Sequence, residues 1–150
     1  MGMVMFYHLT ASRAEATART LLARSLQAGW RVMLRGTDTA RLADMDQQLW
    51  QGPEDGFLPH GLEGGPQDAH QPILLGLGAI SNGAQALMVV DGALVDPAEV
   101  AALERVFILF DGNDETAVVA ARSQWTSMKE AGHAAQYWSE ASGRWEKKAG

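Results

Sequence analysis

The stretch MVMFYHLTASRAEATARTLLARSLQAGWRVML, residues 3–34, decides the fold class. Met3–Leu9 is rich in residues that favour strands and predicts a first, buried strand. Thr10 or Ser12 is the expected cap of the segment after it. That segment has apolar residues at the spacing of an amphipathic helix, namely Ala18, Leu21, Leu22 and Leu26. Gly29 predicts the helix end, and residues 30–34 predict a second strand. Strand, helix and strand within about 30 residues form a βαβ unit, which implies parallel strands and a right-handed crossover.

Helices and apolar strands keep alternating along the rest of the chain. Helices are predicted after Asp38 or Thr39, after Asp96-Pro97 and over Asp111–Gly132. Strands are predicted at Ile73–Leu77, Ala86–Val90 and Val106–Phe110, with a terminal edge hairpin over Ala134–Trp138 and Gly143–Lys147. Gly52-Pro53 is the expected stop of the helix after Asp38 or Thr39. Residues 53–72 show little periodicity and predict a long loop. We therefore predict one α/β domain over residues 1–150, a Rossmann-like, open, doubly wound, mostly parallel sheet with helices on both faces.

Composition and charge narrow the classes of protein to which the chain can belong. The net charge of −6 argues against a protein that binds nucleic acid strongly through its phosphates, because such binding needs clustered lysine and arginine. The chain has no cysteine, which excludes disulfides and thiolate chemistry and fits a cytoplasmic protein. No window reaches the roughly 18 uninterrupted apolar residues that a membrane helix needs.

The motifs of common enzyme classes are incomplete here. Gly76, Gly78 and Gly83 complete neither the dinucleotide pattern nor the Walker pattern. The four histidines share no metal-ligand spacing, and no GxSxG elbow occurs. We predict no catalytic residue, no cofactor and no metal. The alternative is a nucleotide-binding, Rossmann-like enzyme or switch.

The helix predicted over Asp111–Gly132 has an unusual outer face. One face is made of small residues and predicts the core side, with Ala117, Ala120, Ala121, Gln124, Met128 and Ala131. This helix is the fourth predicted along the chain, so we call it α4. Its other face is a stripe of four residues that we call the α4 stripe: Val118, Arg122, Trp125 and Lys129. Either Trp125 covers the edge of the core between solvated charges, or the α4 stripe binds a peptide with acidic and aromatic groups. Asn113 is the expected helix cap.

Several motifs in this order resemble one protein family. They are FYHL in the first strand, AGWRV after the first helix, MDQQLW followed by GFLPHGL, VVDGA, FDGND, and the last long helix with AGH after it. Over residues 4–148 the chain resembles the chi subunit of bacterial DNA polymerase III holoenzyme. MDQQLW followed by GFLPHGL is the most specific part of the resemblance.

The resemblance implies a non-catalytic accessory subunit of the replisome. In the family, chi links the clamp-loader complex, through the psi subunit, to the acidic C-terminal tail of single-stranded-DNA-binding protein. That tail ends in Pro-Phe after several aspartates and binds the last long helix and an adjacent tryptophan. By motif, the corresponding residues are Trp50, Val118, Arg122, Trp125 and Lys129, with the three apolar side chains around the terminal ring and the two cations on carboxylates.

A second surface is implied for the partner of the clamp loader. The psi contact corresponds to the loop with Phe57, Leu58 and Pro59, which otherwise either covers a sheet edge or exposes an apolar patch. A helicase or the clamp loader itself is another candidate partner for this loop. The chain also departs from the family pattern, because Val118 and Thr126 stand where cations are expected.

Overall fold

The computed structural model describes residues 2–51 and 58–150. Helices and strands alternate along these residues, as predicted. The helices are α1 (Ala14–Gln27), α2 (Thr39–Trp50), α3 (Pro97–Val100) and α4 (Glu115–Glu130). The strands are β1 (Met3–Leu9), β2 (Val32–Arg35), β3 (Gly61–Leu62), β4 (Ile73–Gly76), β5 (Ala86–Val89), β6 (Arg105–Asp111), β7 (Ala134–Ser139) and β8 (Glu146–Ala149).

The strands form one eight-stranded sheet in the order β3-β4-β2-β5-β6-β1-β7-β8. Neighbouring strands are parallel except β7 and β8, which form the predicted edge hairpin. β1 lies between β6 and β7, so Phe6 is opposite Ile108 on one side and Tyr137 on the other. The prediction of an open, doubly wound, mostly parallel sheet is confirmed.

Different helices cover the two faces of the sheet. On the first face, α1 and α2 pack over alternate strand residues such as Tyr7 and Leu34. On the second face, α3 and α4 pack over their neighbours in sequence, such as Phe6 and Met33. Successive side chains of a strand point to opposite faces, so strands covered on both sides must be apolar throughout. This explains the unbroken apolar run of residues 106–110.

The helix starts differ in part from the predictions. Asp38 caps α2, and its carboxylate accepts from the backbone N–H of Ala40. The expected cap at Thr10 or Ser12 is wrong, because α1 starts one residue after Arg13 and has no side-chain cap. The Ser12 hydroxyl donates instead to a distant carboxylate, described below.

The cap of α4 also differs by one residue. Asp114, not Asn113, accepts from the first backbone N–H groups of the helix. The Asn113 amide donates to the carbonyl of Thr10, in the turn after β1. A contact between two turns therefore decides which of two suitable neighbours is the cap.

The loop predicted over residues 53–72 contains short ordered segments. Gly61–Leu62 forms β3, which pairs with β4 in parallel, and Asp68–His70 forms one 3-10 turn. Neither segment has the apolar alternation that marks a strand in sequence. The expected helix stop at Gly52-Pro53 lies outside the described residues.

An ion pair between the buried Arg35 and the partly exposed Glu99 holds α3 to the end of β2. The Arg35 guanidinium donates to both carboxylate oxygens of Glu99, at 2.8 and 2.9 Å. Arg35 also donates to the carbonyls of Gly78 and Leu94. The hydrogen bonds from Arg35 are the main reason that the pKa of Glu99 lies below its ordinary value.

Candidate functional site

The inner face of α4 holds the helix on the second face of the sheet. Ala121, Gln124 and Met128 are buried there. The Gln124 amide accepts from the backbone N–H of Val95 and donates to the carbonyl of Ala93. These contacts fix the rotation of α4, so the α4 stripe lies on its outer flank.

Trp125 is only partly exposed, which fits the alternative in which it covers the edge of the core between solvated charges. Its ring meets the edge of Phe6 at 5.4 Å and lies 6.0 Å from the ring of Tyr137, nearly perpendicular to it. Val118 is also partly buried against this part of the core. The aromatic part of the α4 stripe is therefore held rigidly, with Trp125 packed against the core and part of its side chain exposed.

The cations of the α4 stripe are exposed and have no ion pair within the described part of the chain. They are Arg122 and Lys129. The Lys129 ammonium lies 5.7 Å from the centre of the Trp125 ring, within cation–π range. The outer flank of α4 therefore offers two cations beside an aromatic surface, in a chain of net charge −6.

Tyr137 and His8 lie next to the α4 stripe and were missed by sequence reasoning. The Tyr137 hydroxyl is 2.8 Å from His8 Nδ1. Burial raises the pKa of the Tyr137 phenol, and the Arg122 guanidinium opposes this. The pairing of β1 with β7 brings these residues together, since Phe6 is opposite Tyr137 and His8 is on the same face as Phe6. Predicting this contact from the sequence would require the strand order, in which β7 lies beside β1.

Trp50 does not join the α4 stripe. It lies at the end of α2, half exposed, with its ring 4.2 Å from that of His60. α2 covers the first face near β3 and β4, whereas α4 covers the second face at β6, β1 and β7. β4 and β1 are four strand spacings apart, about 19 Å. Trp50 and Trp125 therefore cannot enclose one aromatic ring, which corrects the pocket expected from the sequence.

The structure describes two of the three residues that are expected to bind a second partner, Leu58 and Pro59. Leu58 is buried in the core of the first face, and Pro59 is half buried. His60 is buried next to them, and its Nδ1 lies 2.6 Å from the carbonyl of Leu58. Of the two alternatives for this loop, the described part fits the one in which the loop covers the sheet. Phe57 lies outside the described residues.

The place where doubly wound sheets usually bind ligands is partly filled by the chain itself. The turn after β1 leads to α1 on the first face, and the turn after β6 leads to α4 on the second face, so a crevice opens between them at the carboxyl ends of the strands. The crevice measures about 750 Å³. Nucleotide-binding relatives of this fold hold phosphates on the turn after the first strand.

In this chain a carboxylate occupies that turn. The backbone N–H groups of Thr10, Ala11 and Ser12 all donate to one oxygen of Glu140, at 2.8–3.1 Å, and the Ser12 hydroxyl donates to the other at 2.7 Å. Glu140 is 7% exposed. Burial raises its pKa, but these hydrogen bonds outweigh burial and hold the pKa below its ordinary value. Because these three donors already have an anionic acceptor, they are not available to a phosphate.

Residues 2–51 and 58–150 contain neither a cluster of metal-ligand side chains nor a helix that could span a membrane. Three or more acidic or histidine side chains do not come together anywhere in these residues as metal ligands would. No helix in them has the length and apolarity needed to cross a membrane.

Comparisons with known proteins agree with the sequence resemblance. The family model described as DNA polymerase III chi subunit, HolC, matches residues 1–136. The DNA polymerase III subunit chi of Pseudomonas aeruginosa is 32% identical over 81 residues, which cover 52% of this chain and 56% of that protein. The matched region thus spans about half the length of the curated relative. Since the family model covers most of the 150 residues, this chain belongs to the DNA polymerase III chi subunit family, whose members are accessory subunits of the replicative polymerase.

Proposed function

We propose that this protein is a non-catalytic subunit that links the clamp-loader complex of DNA polymerase III to the acidic C-terminal tail of single-stranded-DNA-binding protein. The tail site in this proposal is the α4 stripe. The observation that carries it is the pair of exposed cations, Arg122 and Lys129, which have no ion pair within the described residues and lie on either side of the partly exposed Trp125 along α4. Acidic residues of a tail would lie on the cations, and an apolar terminal residue on the exposed part of the tryptophan.

The charge of the chain supports a local rather than a general attraction. With a net charge of −6, the protein as a whole repels an acidic peptide, so the attraction must come from the two cations at short range. Exposed charges are screened beyond about 8 Å at physiological salt. Tail binding is therefore expected to weaken as salt is added. Val119, which is 61% exposed beside Val118, extends the apolar part of this surface.

We place the second partner on the other side of the molecule. The end of α2 with Trp50, and the half-buried Pro59 before β3, lie on the first face, opposite α4, while Leu58 is buried beneath them in the core. A linker needs two surfaces that do not compete for space, and this arrangement provides them. The partner there is the psi subunit, another clamp-loader component or a helicase, and Phe57 belongs to the same contact in this proposal.

A calorimetric titration with a synthetic peptide of several aspartates ending in Pro-Phe tests the tail site. We expect Trp125→Ala to weaken binding by about 30-fold, since truncating an interface hot spot costs about 2 kcal/mol or more. Trp145→Ala is the matched control, because Trp145 is also partly exposed but packs on Tyr7 on the first face. It should bind the peptide like the wild type.

Because Trp125 is half buried, its variant must be shown to be folded by circular dichroism. Lys129→Gln changes only an exposed side chain and gives a second measurement, with weaker binding and a shallower salt dependence expected. Wild-type affinity in both α4 variants would refute the site, and no binding by the wild type would refute the proposed function. The nucleotide alternative is tested separately, as ATP, GTP or NAD should leave the melting temperature unchanged.

A further inference from the structure

Tyr137 and His8 form a polar pair at the edge of the α4 stripe. Tyr137 lies on β7 and His8 on β1, and the two side chains share the second face of the sheet. The Tyr137 hydroxyl is 2.8 Å from His8 Nδ1, and the Trp125 ring stands nearly perpendicular to the Tyr137 ring. The Tyr137 side chain is half buried, so part of it is accessible beside the Trp125 ring.

The His8 ring is held tightly in its position. It packs against Phe110 with ring centres 5.2 Å apart. A Cβ atom at Gly112 would lie within 2.0 Å of two atoms of the His8 ring, so the turn after β6 touches the imidazole directly. A ring fixed on two sides presents Nδ1 to the tyrosine in one direction only. His8 therefore positions the phenol hydroxyl.

Arg122 brings a positive charge to the flank of α4 beside Trp125, whose ring lies 6.0 Å from that of Tyr137. It is one turn of α4 before Trp125 and acts electrostatically on the Tyr137 phenol. Hydroxyl groups donate one hydrogen and accept others. When His8 Nδ1–H donates to the phenol oxygen, the phenol hydrogen is free for an acceptor outside. The guanidinium and the phenol then offer two donors to one anion.

We propose that the Tyr137 hydroxyl, positioned by His8, donates together with Arg122 to the terminal carboxylate of a peptide that binds the α4 stripe. This inference rests on the proposed function and adds to it the recognition of a free C-terminus rather than of acidic side chains alone. A carboxylate that accepts from both a guanidinium and a hydroxyl is bound more tightly than one on a single exposed cation. The two donors, Tyr137 and Arg122, thus compensate in part for the cations that the family pattern has where Val118 and Thr126 stand in this chain.

The test compares two peptides of several aspartates ending in Pro-Phe, one with a free terminal carboxylate and one with a terminal amide. We expect Tyr137→Phe to lose about tenfold in affinity for the free acid, because a hydrogen bond to a charged group is lost while the ring is kept. For the amide, a neutral acceptor, we expect a loss of less than about threefold. His8→Leu should show the same selectivity with a smaller loss, since the hydroxyl remains but is no longer positioned.

The control is Tyr7→Phe, which makes the same chemical change at the other tyrosine of the chain, on the first face. It should bind both peptides like the wild type. Equal losses for acid and amide in Tyr137→Phe would show that the phenol serves packing only and would refute the inference. Wild-type affinity of Tyr137→Phe, alongside weak binding by Trp125→Ala, would refute this inference and leave the proposed function standing. A wild type that binds neither peptide would refute both.

Discussion

Replacing Glu140 with glutamine should destabilise the protein strongly. Glutamine keeps the shape of the side chain, but its amide is neutral and has only one acceptor oxygen. With that oxygen on the backbone N–H groups of Thr10, Ala11 and Ser12, its NH₂ group faces the Ser12 hydroxyl, which in the wild type donates to the carboxylate. Hydrogen bonds to a charged group contribute about 1.5–3 kcal/mol each, and the burial of the carboxylate offsets part of their sum. We expect the free energy of unfolding to fall by about 3 kcal/mol, a large part of the roughly 5–15 kcal/mol of a typical domain.

Urea denaturation followed by circular dichroism measures this change. If the free energy of unfolding falls by about 2 kcal/mol per M of urea, the urea concentration at the unfolding midpoint should be lower by about 1.5 M in Glu140→Gln. The effect should also depend on pH in a defined direction. Because the pKa of folded Glu140 is below its ordinary value, its stabilisation is complete above the ordinary pKa of glutamate and is lost as the pH falls through the folded pKa. The difference between wild type and Glu140→Gln should therefore shrink in acid.

Glu104→Gln is the control for the loss of one negative charge. Glu104 is exposed and has no ion pair within the described residues, so its midpoint should match that of the wild type. Two outcomes contradict the reasoning: a Glu140→Gln midpoint equal to that of the wild type, or a difference that persists unchanged at acid pH where the wild type is still folded.

Three further changes test other parts of the fold by thermal or urea denaturation. Arg35→Met should lower the free energy of unfolding by about 3 kcal/mol, because it leaves the Glu99 carboxylate without its partner. This loss should shrink as the pH falls through the lowered pKa of Glu99. An equal loss at acid pH would contradict the ion pair. Asp114→Ala should cost about 1 kcal/mol through loss of the α4 cap, and an unchanged midpoint would argue against the cap. Gly112→Ala should destabilise the protein and shift the NMR signals of the His8 ring, because the new Cβ atom overlaps that ring; unshifted signals would contradict the close approach.

Periodicity in the sequence predicted most elements of the fold because burial alone sets their patterns. The predicted last helix, over Asp111–Gly132, contains the observed Glu115–Glu130. Its cap was missed by one residue since Asn113 and Asp114 are equally suited, and the carbonyl that engages Asn113 comes from a turn 103 residues away in sequence. The short strand Gly61–Leu62 has no apolar pattern of its own and exists through its pairing with β4.

The candidate site was predictable only as far as one helix determines it. Spacing along α4 places Val118, Arg122, Trp125 and Lys129 on one flank, and this holds in the structure. What lies beneath the flank depends on strand order, which sets Tyr137 beside β1. The face on which a helix packs depends on the direction of its crossover. The spacing of residues within a helix reveals neither the strand order nor the face on which the helix packs. Sequence reasoning therefore placed Trp50 near α4 and overlooked Tyr137.

The position of β1 in the sheet has a consequence for how the chain folds during synthesis. Both neighbours of β1 come from the last third of the chain, as Met3 pairs with Arg105 and with Ala134. At roughly 5–20 residues per second, the ribosome needs on the order of ten seconds to make the roughly 130 residues between these partners. For that time the apolar segment Met3–Leu9 has neither strand to pair with, and contacts so distant in sequence also form slowly. We expect the nascent chain to aggregate through this segment, or to be bound there by a chaperone, until β6 and β7 have left the ribosome.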